Sequence, residues 1–187
     1  MLGPVLGPPG DEVVRRLSCG LPSSRPVRRG DGEGKAMGSM DHPTAHHDAF
    51  ERLEGFLRGL SGPELETIVP ACPRWSVLDV VRHLTGLAVD CSGDTLPGPE
   101  DWDEETMDRR HVDARGAMDL GELLEEWREA SPGFEKALGR IDSSMAGLIV
   151  GEYACHEHDV RGALRRPGAR GSLCVRVATD TYVDRLL

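Results

Sequence analysis

Residues 145–164 read MAGLIVGEYACHEHDVRGAL. Apolar side chains open the segment, and Glu152, His156 and Asp159 follow at spacings of four and three, which stack on one face of an α-helix. Asp142 or Ser143 supplies an N-terminal cap, and Pro167-Gly168 supplies a stop. Working outward, the spacing predicts three companion helices. From Thr44, Phe50, Leu53, Phe56 (or Leu57) and Leu60 recur at helical intervals until Gly62-Pro63. Ser76, with Asp79 three residues on, resembles a capping box and opens a helix through Val77, Val80, Val81, Leu84 and Leu87 to about residue 90. Asp119 and Glu122 make a second such start for LGELLEEWREASPGFEKAL, in which Pro132 kinks the helix or splits it at Ser131. Strand signals are few, and VPACPRW (69–75) reads as a loop. The expectation is an all-α, up-down four-helix bundle.

The rest of the chain frames that bundle. Residues 1–43 are rich in Gly, Pro, Ser and Arg without periodicity and read as a disordered N-terminal arm. Met37 and Met40 are candidate starts for a shorter chain. The bundle is expected over 44–170, with a Gly/Pro/Asp-rich connection at 91–118 that holds one short acidic helix near DEETMDRR. Residues 171–187 read as a helical segment opening a second domain that is missing or truncated.

Composition narrows the function. The net charge of −10 is uneven, since residues 1–40 carry six basic and four acidic side chains and the remainder is strongly acidic. No basic stripe with interleaved aromatics occurs, so nucleic acid is not an expected partner. Five cysteines stand singly with no CxxC pair, as free thiols do in a reducing compartment. No apolar run approaches the ~20 residues that span a bilayer, and MLGPVLGPPGDEVV makes a poor signal peptide. A cytoplasmic location without a membrane is the expectation.

Glu152 and His156 share a helical face, and His83 lies on or beside the apolar stripe of its own helix. Brought together, one carboxylate and two imidazoles make three protein ligands for a divalent metal with a position left open, the pattern of catalytic zinc sites. The alternatives are plain ones: a buried neutral His83 bonded to a carbonyl or carboxylate, and an ordinary surface contact between Glu152 and His156. A buried carboxylate, however, needs a partner or a metal. Asp159 is placed to orient His156, and Arg82 is a candidate for a supporting or anion-binding role beside the more ordinary reading of a solvated helix residue. His158, two residues from His156, points elsewhere. His46 and His47 read as a solvated face, and Cys155 as core. The donor set also suits Fe(II), Ni(II) or Mn(II).

The segment Cys72-Pro73-x-Trp75-Ser76-Val77-x-Asp79-Val80-Val81-x-His83-Leu84 resembles the N-terminal helical domain of mycothiol-dependent maleylpyruvate isomerases, within the DinB-like metal-binding helix bundles. Glu152-x-x-x-His156-x-x-Asp159, followed by Arg161, Ala163 and Leu164, resembles the family's second ligand motif. Thr106 with Arg109-Arg110, and Leu123-Leu124-x-x-Trp127, resemble its middle segment. The resemblance implies a DinB-like bundle, zinc on His83, Glu152 and His156, and mycothiol as a thiol co-substrate in the open position. A thiolate held there could add to a double bond, open an epoxide or displace a leaving group of a small electrophile. Mycothiol is made by high-GC actinobacteria, in agreement with twenty arginines against two lysines. His158 stands where relatives usually carry Trp. Two classes of function follow: a mycothiol-dependent transferase or isomerase, and a non-catalytic metal-binding module such as a sensor or stress-related protein. A purely structural fragment would hold no metal. A zinc-binding anti-sigma factor would need a His-x₃-Cys-x₂-Cys cluster, which the sequence lacks.

Overall fold

The computed structural model describes residues 41–93 and 104–186. Of the arm expected over residues 1–43, residues 1–40 lie outside the described residues, as do both candidate starts and residues 94–103 of the connection, while residues 42 and 43 are helical instead.

Helix α1 (His42–Leu57) begins two residues ahead of the expected Thr44, because Asp41 caps it: the Asp41 carboxylate accepts from the Thr44 backbone N–H at 3.1 Å and from its hydroxyl at 2.6 Å. Pro43 sits in the first turn, where its missing N–H has no helical partner to lose. A single turn, α2 (Gly62–Leu65), leads into an antiparallel hairpin of β1 (Ile68–Val69) and β2 (Cys72–Ser76). The hairpin corrects the expected loop. Its two strands are too short for alternation to show in the sequence, yet Val69 is fully buried.

Helix α3 (Val77–Ser92) starts at the capping box as expected. The Asp79 backbone N–H donates to Ser76 Oγ at 3.2 Å, and the Ser76 N–H donates to Asp79 Oδ2 at 2.9 Å. Helix α4 (Glu104–Ala114) is the short acidic helix and packs on α3. Helix α5 (Leu120–Leu138) repeats the box with Asp119 and Glu122 and runs unbroken through Pro132. Pro132 faces solvent, where water can satisfy the carbonyl left without a partner. Helix α6 (Ser143–Ala163) is capped by Asp142 and stops short of Pro167-Gly168. Arg165 adopts a left-handed φ of 54°, and the N–H groups of Arg165 and Arg166 return to the carbonyls of Gly162 and Arg161. That is the bonding pattern of a Schellman stop, here without glycine. Helix α7 (Leu173–Leu186) lies against α6 and α1.

The bundle is a ring in which α1 touches α5, α5 touches α3, α3 touches α6 and α6 returns to α1. In that ring α1 stands across from α3, and α5 across from α6. The sequence's few aromatics are concentrated at its centre, where Trp127, Phe134 and Tyr153 are fully buried beside Phe50. Burial of each such side chain contributes about 1.5–3 kcal/mol relative to exposure. The Tyr153 hydroxyl donates to the Leu84 carbonyl at 3.1 Å and ties α6 to α3. Among the described residues, no helix is long and apolar enough to cross a membrane.

Two histidine and cysteine placements differ from expectation. His46 is fully buried rather than solvated, since it falls on the stripe of Ala49, Phe50 and Leu53. Cys155 is exposed rather than core, because the neighbouring Ala154 and Tyr153 take the buried face of α6. His47 is exposed as expected, and His158 is half-buried.

Candidate metal centre

Helix α3 carries His83 inward between Val80 and Leu84, and helix α6 carries Glu152 and His156 one turn apart. Because α3 and α6 are neighbours in the ring, the donors of all three residues lie within 4.8 Å of one another. The two imidazoles meet edge to face with centroids 5.1 Å apart. His156 Nε2 stands 3.7 Å from Glu152 Oε2. His83 is buried and the Glu152 side chain is 41% exposed, so the cluster opens to solvent on the carboxylate side. The hairpin places Trp75 beside both rings, 5.2 Å from His83 and 6.1 Å from His156.

Two flanking groups meet the same distance limit: Cys72 with His156 and Asp159, and His83 with Asp108 and His111. The nitrogens separate the three. His156 Nδ1 points to Asp159 Oδ2 at 3.4 Å and to Cys72 Sγ at 4.0 Å. His83 Nδ1 points to Asp108 Oδ1 at 3.3 Å and to His111 Nδ1 at 3.4 Å. Each Nδ1 is therefore taken by an outer group. His83 Nε2 is buried without a hydrogen-bond partner among the described residues, an arrangement that costs about 1–3 kcal/mol for a polar atom. A cation between His83 Nε2, His156 Nε2 and Glu152 would satisfy it. Metal-bound histidines commonly donate their other N–H to a carboxylate, and Asp108 and Asp159 stand where that donation would go. The donor set and the orphaned nitrogen thus fit a divalent metal in the central group.

The electrostatics agree. Burial, with His156 and His111 nearby, holds His83 well below its ordinary value and keeps it neutral, as a ligand must be. Burial pushes His156 down too, but Asp159, Cys72 and Glu152 outweigh it and raise it to about 10. Those same groups make the spot attractive to any cation, and a divalent ion entering there displaces the proton.

Arg82 is not brought to the cluster. Its guanidinium donates to Asp79 Oδ1 at 2.7 Å and to the carbonyls of Arg115, Gly116 and Met118, tying the α4–α5 turn to α3. Sequence reasoning missed Asp108 and His111. Their three-residue spacing on a helix was the available signal, but nothing local in a polar helix says that it faces His83. Cys72 was visible within its motif, though its approach to His156 was not.

A family model described as the mycothiol maleylpyruvate isomerase N-terminal domain matches residues 46–161. Comparison with curated proteins finds no match, and neither does comparison with solved structures. The family match spans more than half of the chain and contains His83, Glu152 and His156, and the chain belongs to the mycothiol maleylpyruvate isomerase N-terminal domain family.

Proposed function

We propose that this protein is a zinc-dependent enzyme that uses a low-molecular-weight thiol, mycothiol, for transfer to or isomerisation of a small electrophile. His83, Glu152 and His156 hold the metal. The observation that carries the reading is the arrangement of nitrogens: two imidazoles from different helices, each with Nδ1 turned to an outer group, converge on one carboxylate, and His83 Nε2 is buried and unpaired. When bound, the metal supplies the positive charge that lets a thiol lose its proton near neutral pH.

The chain's own residues do the rest. Once its extra proton is displaced, His156 is held by Asp159 in the tautomer that leaves Nε2 bare, and Asp108 does the same for His83. Glu152, at the solvent edge, marks the side from which a small molecule approaches. Trp75 walls the cluster beside both rings and excludes water from that side.

The test is metal content by mass spectrometry on purified protein, wild type beside His156→Ala. About one zinc per chain, lost in the variant, supports the site, and absence of metal from both overturns it. With metal established, consumption of mycothiol together with an activated alkene supports the enzyme. Metal binding without turnover of any thiol–electrophile pair replaces it with a non-catalytic module.

A further inference from the structure

The geometry points to His111, anchored on Asp90, as a positioning residue that holds His83 with its proton on Nδ1 and its Nε2 lone pair free for the metal. The inference rests on the metal-binding reading above and extends it to a residue outside the ligand set.

His111 lies on α4 and is 2% exposed. Its Nε2 stands 3.1 Å from Asp90 Oδ2. A carboxylate only accepts, so this nitrogen carries the hydrogen. With that hydrogen on Nε2, Nδ1 of the neutral imidazole is bare. That bare Nδ1 is 3.4 Å from His83 Nδ1, and a hydrogen bond between two Nδ1 atoms needs one proton between them. The proton therefore belongs to His83, and with His83 neutral its Nε2 is left with a lone pair. Asp108 Oδ1, 3.3 Å from the same His83 nitrogen, is a second acceptor enforcing the same tautomer.

The seat of the ring is built for it. A Cβ on Gly86 would stand 2.5 Å from the His111 ring, so α3 offers room for an imidazole only where it carries glycine. Asp90 is fixed in turn by an ion pair with Arg110. The run Asp90–His111–His83 thus extends inward from a partly exposed carboxylate to a buried donor atom. Outer partners of this kind typically change metal affinity 10–100-fold when removed.

The experiment compares full-length wild type, His111→Leu, His111→Gln and Asp90→Ala. Three quantities are read: zinc affinity by competition with a chromophoric chelator, the visible spectrum of the cobalt(II)-loaded protein, and the unfolding midpoint of the metal-free protein. His111→Leu should lose about 10–100-fold in affinity with an altered cobalt spectrum, while its metal-free midpoint stays near wild type. His111→Gln should recover most of the affinity, because its amide oxygen can accept from His83 while its NH₂ donates to Asp90. Asp90→Ala, which leaves the core untouched, should weaken binding in the same direction. Wild-type affinity and spectrum in both His111→Leu and Asp90→Ala would overturn the inference. So would a second ion in wild type that disappears in His111→Leu, since His111 would then be a ligand. If His111→Leu does not fold, Asp90→Ala alone decides: weakened binding supports the inference and wild-type affinity overturns it. A wild type that takes up no ion at all overturns the metal reading itself, and the inference falls with it.

Discussion

The indole N–H of Trp127 donates to Nε2 of His46 at 3.2 Å in the fully buried centre of the bundle. That bond fixes the His46 proton on Nδ1, which faces Glu135 Oε1 at 3.3 Å. A second proton, on Nε2, would set two donors against each other. Burial accordingly holds His46 below its ordinary value of 6.5, with Glu135 opposing in part. The unfolded chain takes up this proton near 6.5 and the folded chain resists. The associated stability is complete above about pH 6.5 and is lost as pH falls through the lower folded value. His42, His83 and His111 shift the same way. His46→Gln should therefore flatten, not abolish, the fall in urea midpoint between about pH 7 and pH 5. An identical slope in wild type and variant would contradict it.

Metal should stabilise the fold by mass action. At a free zinc concentration near 100 times the dissociation constant, the gain is about 2.7 kcal/mol, or roughly 5–10 °C in Tm for a chain of this size. A chelator should reverse it. Glu152→Gln should reduce the shift, and because the side chain is 41% exposed and faces His156 the metal-free midpoint should move only by the small amount of a half-exposed ion pair. A full shift in that variant, read by calorimetry, would remove the carboxylate from the ligand set.

Glu157 is 1% exposed and accepts from Arg52 through Nε and Nη2, the latter at 2.6 Å, and from Arg161 at 2.9 Å. Arg161 also lies over the Phe56 ring at 4.3 Å. Glu157→Gln leaves two guanidinium groups aimed at a neutral amide. Both arginines keep some contact with water, so the loss should fall at the low end of the range for broken buried pairs, about 3 kcal/mol by urea unfolding. Zinc content should not change, which separates this network from the neighbouring His156.

Helix α7 comes close to α6 at Gly147, where a Cβ would stand 2.0 Å from Thr181 Oγ1. Gly147→Ala should cost about 1–3 kcal/mol. Thr181→Ala alone should cost little, because that hydroxyl is buried without a hydrogen-bond partner among the described residues. Combined, the two should show a coupling of about 1 kcal/mol or more, and strict additivity would mean that α7 relaxes elsewhere.

What the sequence made legible was local. The boxes at Ser76–Asp79 and Asp119–Glu122 and the one-turn spacing of Glu152 and His156 are properties of adjacent turns, and each is present in the fold. Asp159 beside His156 follows from the same spacing. His46 could have been read as buried from its phase with Ala49, Phe50 and Leu53, but its place near the start of the helix, beside His47, suggested solvent. The pairing of His83 with His111 depends on how α4 lies on α3, and no short-range pattern encodes that. Arg82 stood as a candidate for a supporting or anion-binding role beside the ordinary reading of a solvated helix residue, and one residue along a helix from His83 is a turn of about 100° away from it.

That turn gives α3 two attachments side by side. His83 reaches the cluster of Glu152 and His156, while Arg82 grips three carbonyls of the α4–α5 turn through one guanidinium. Stiffening α3 by ligation at residue 83 should slow the opening of the segment held at residue 82. Occupancy of the centre should thus be audible at a distance, as slower hydrogen–deuterium exchange at the amides of Arg115, Gly116 and Met118. Each of these donates only within its own turn.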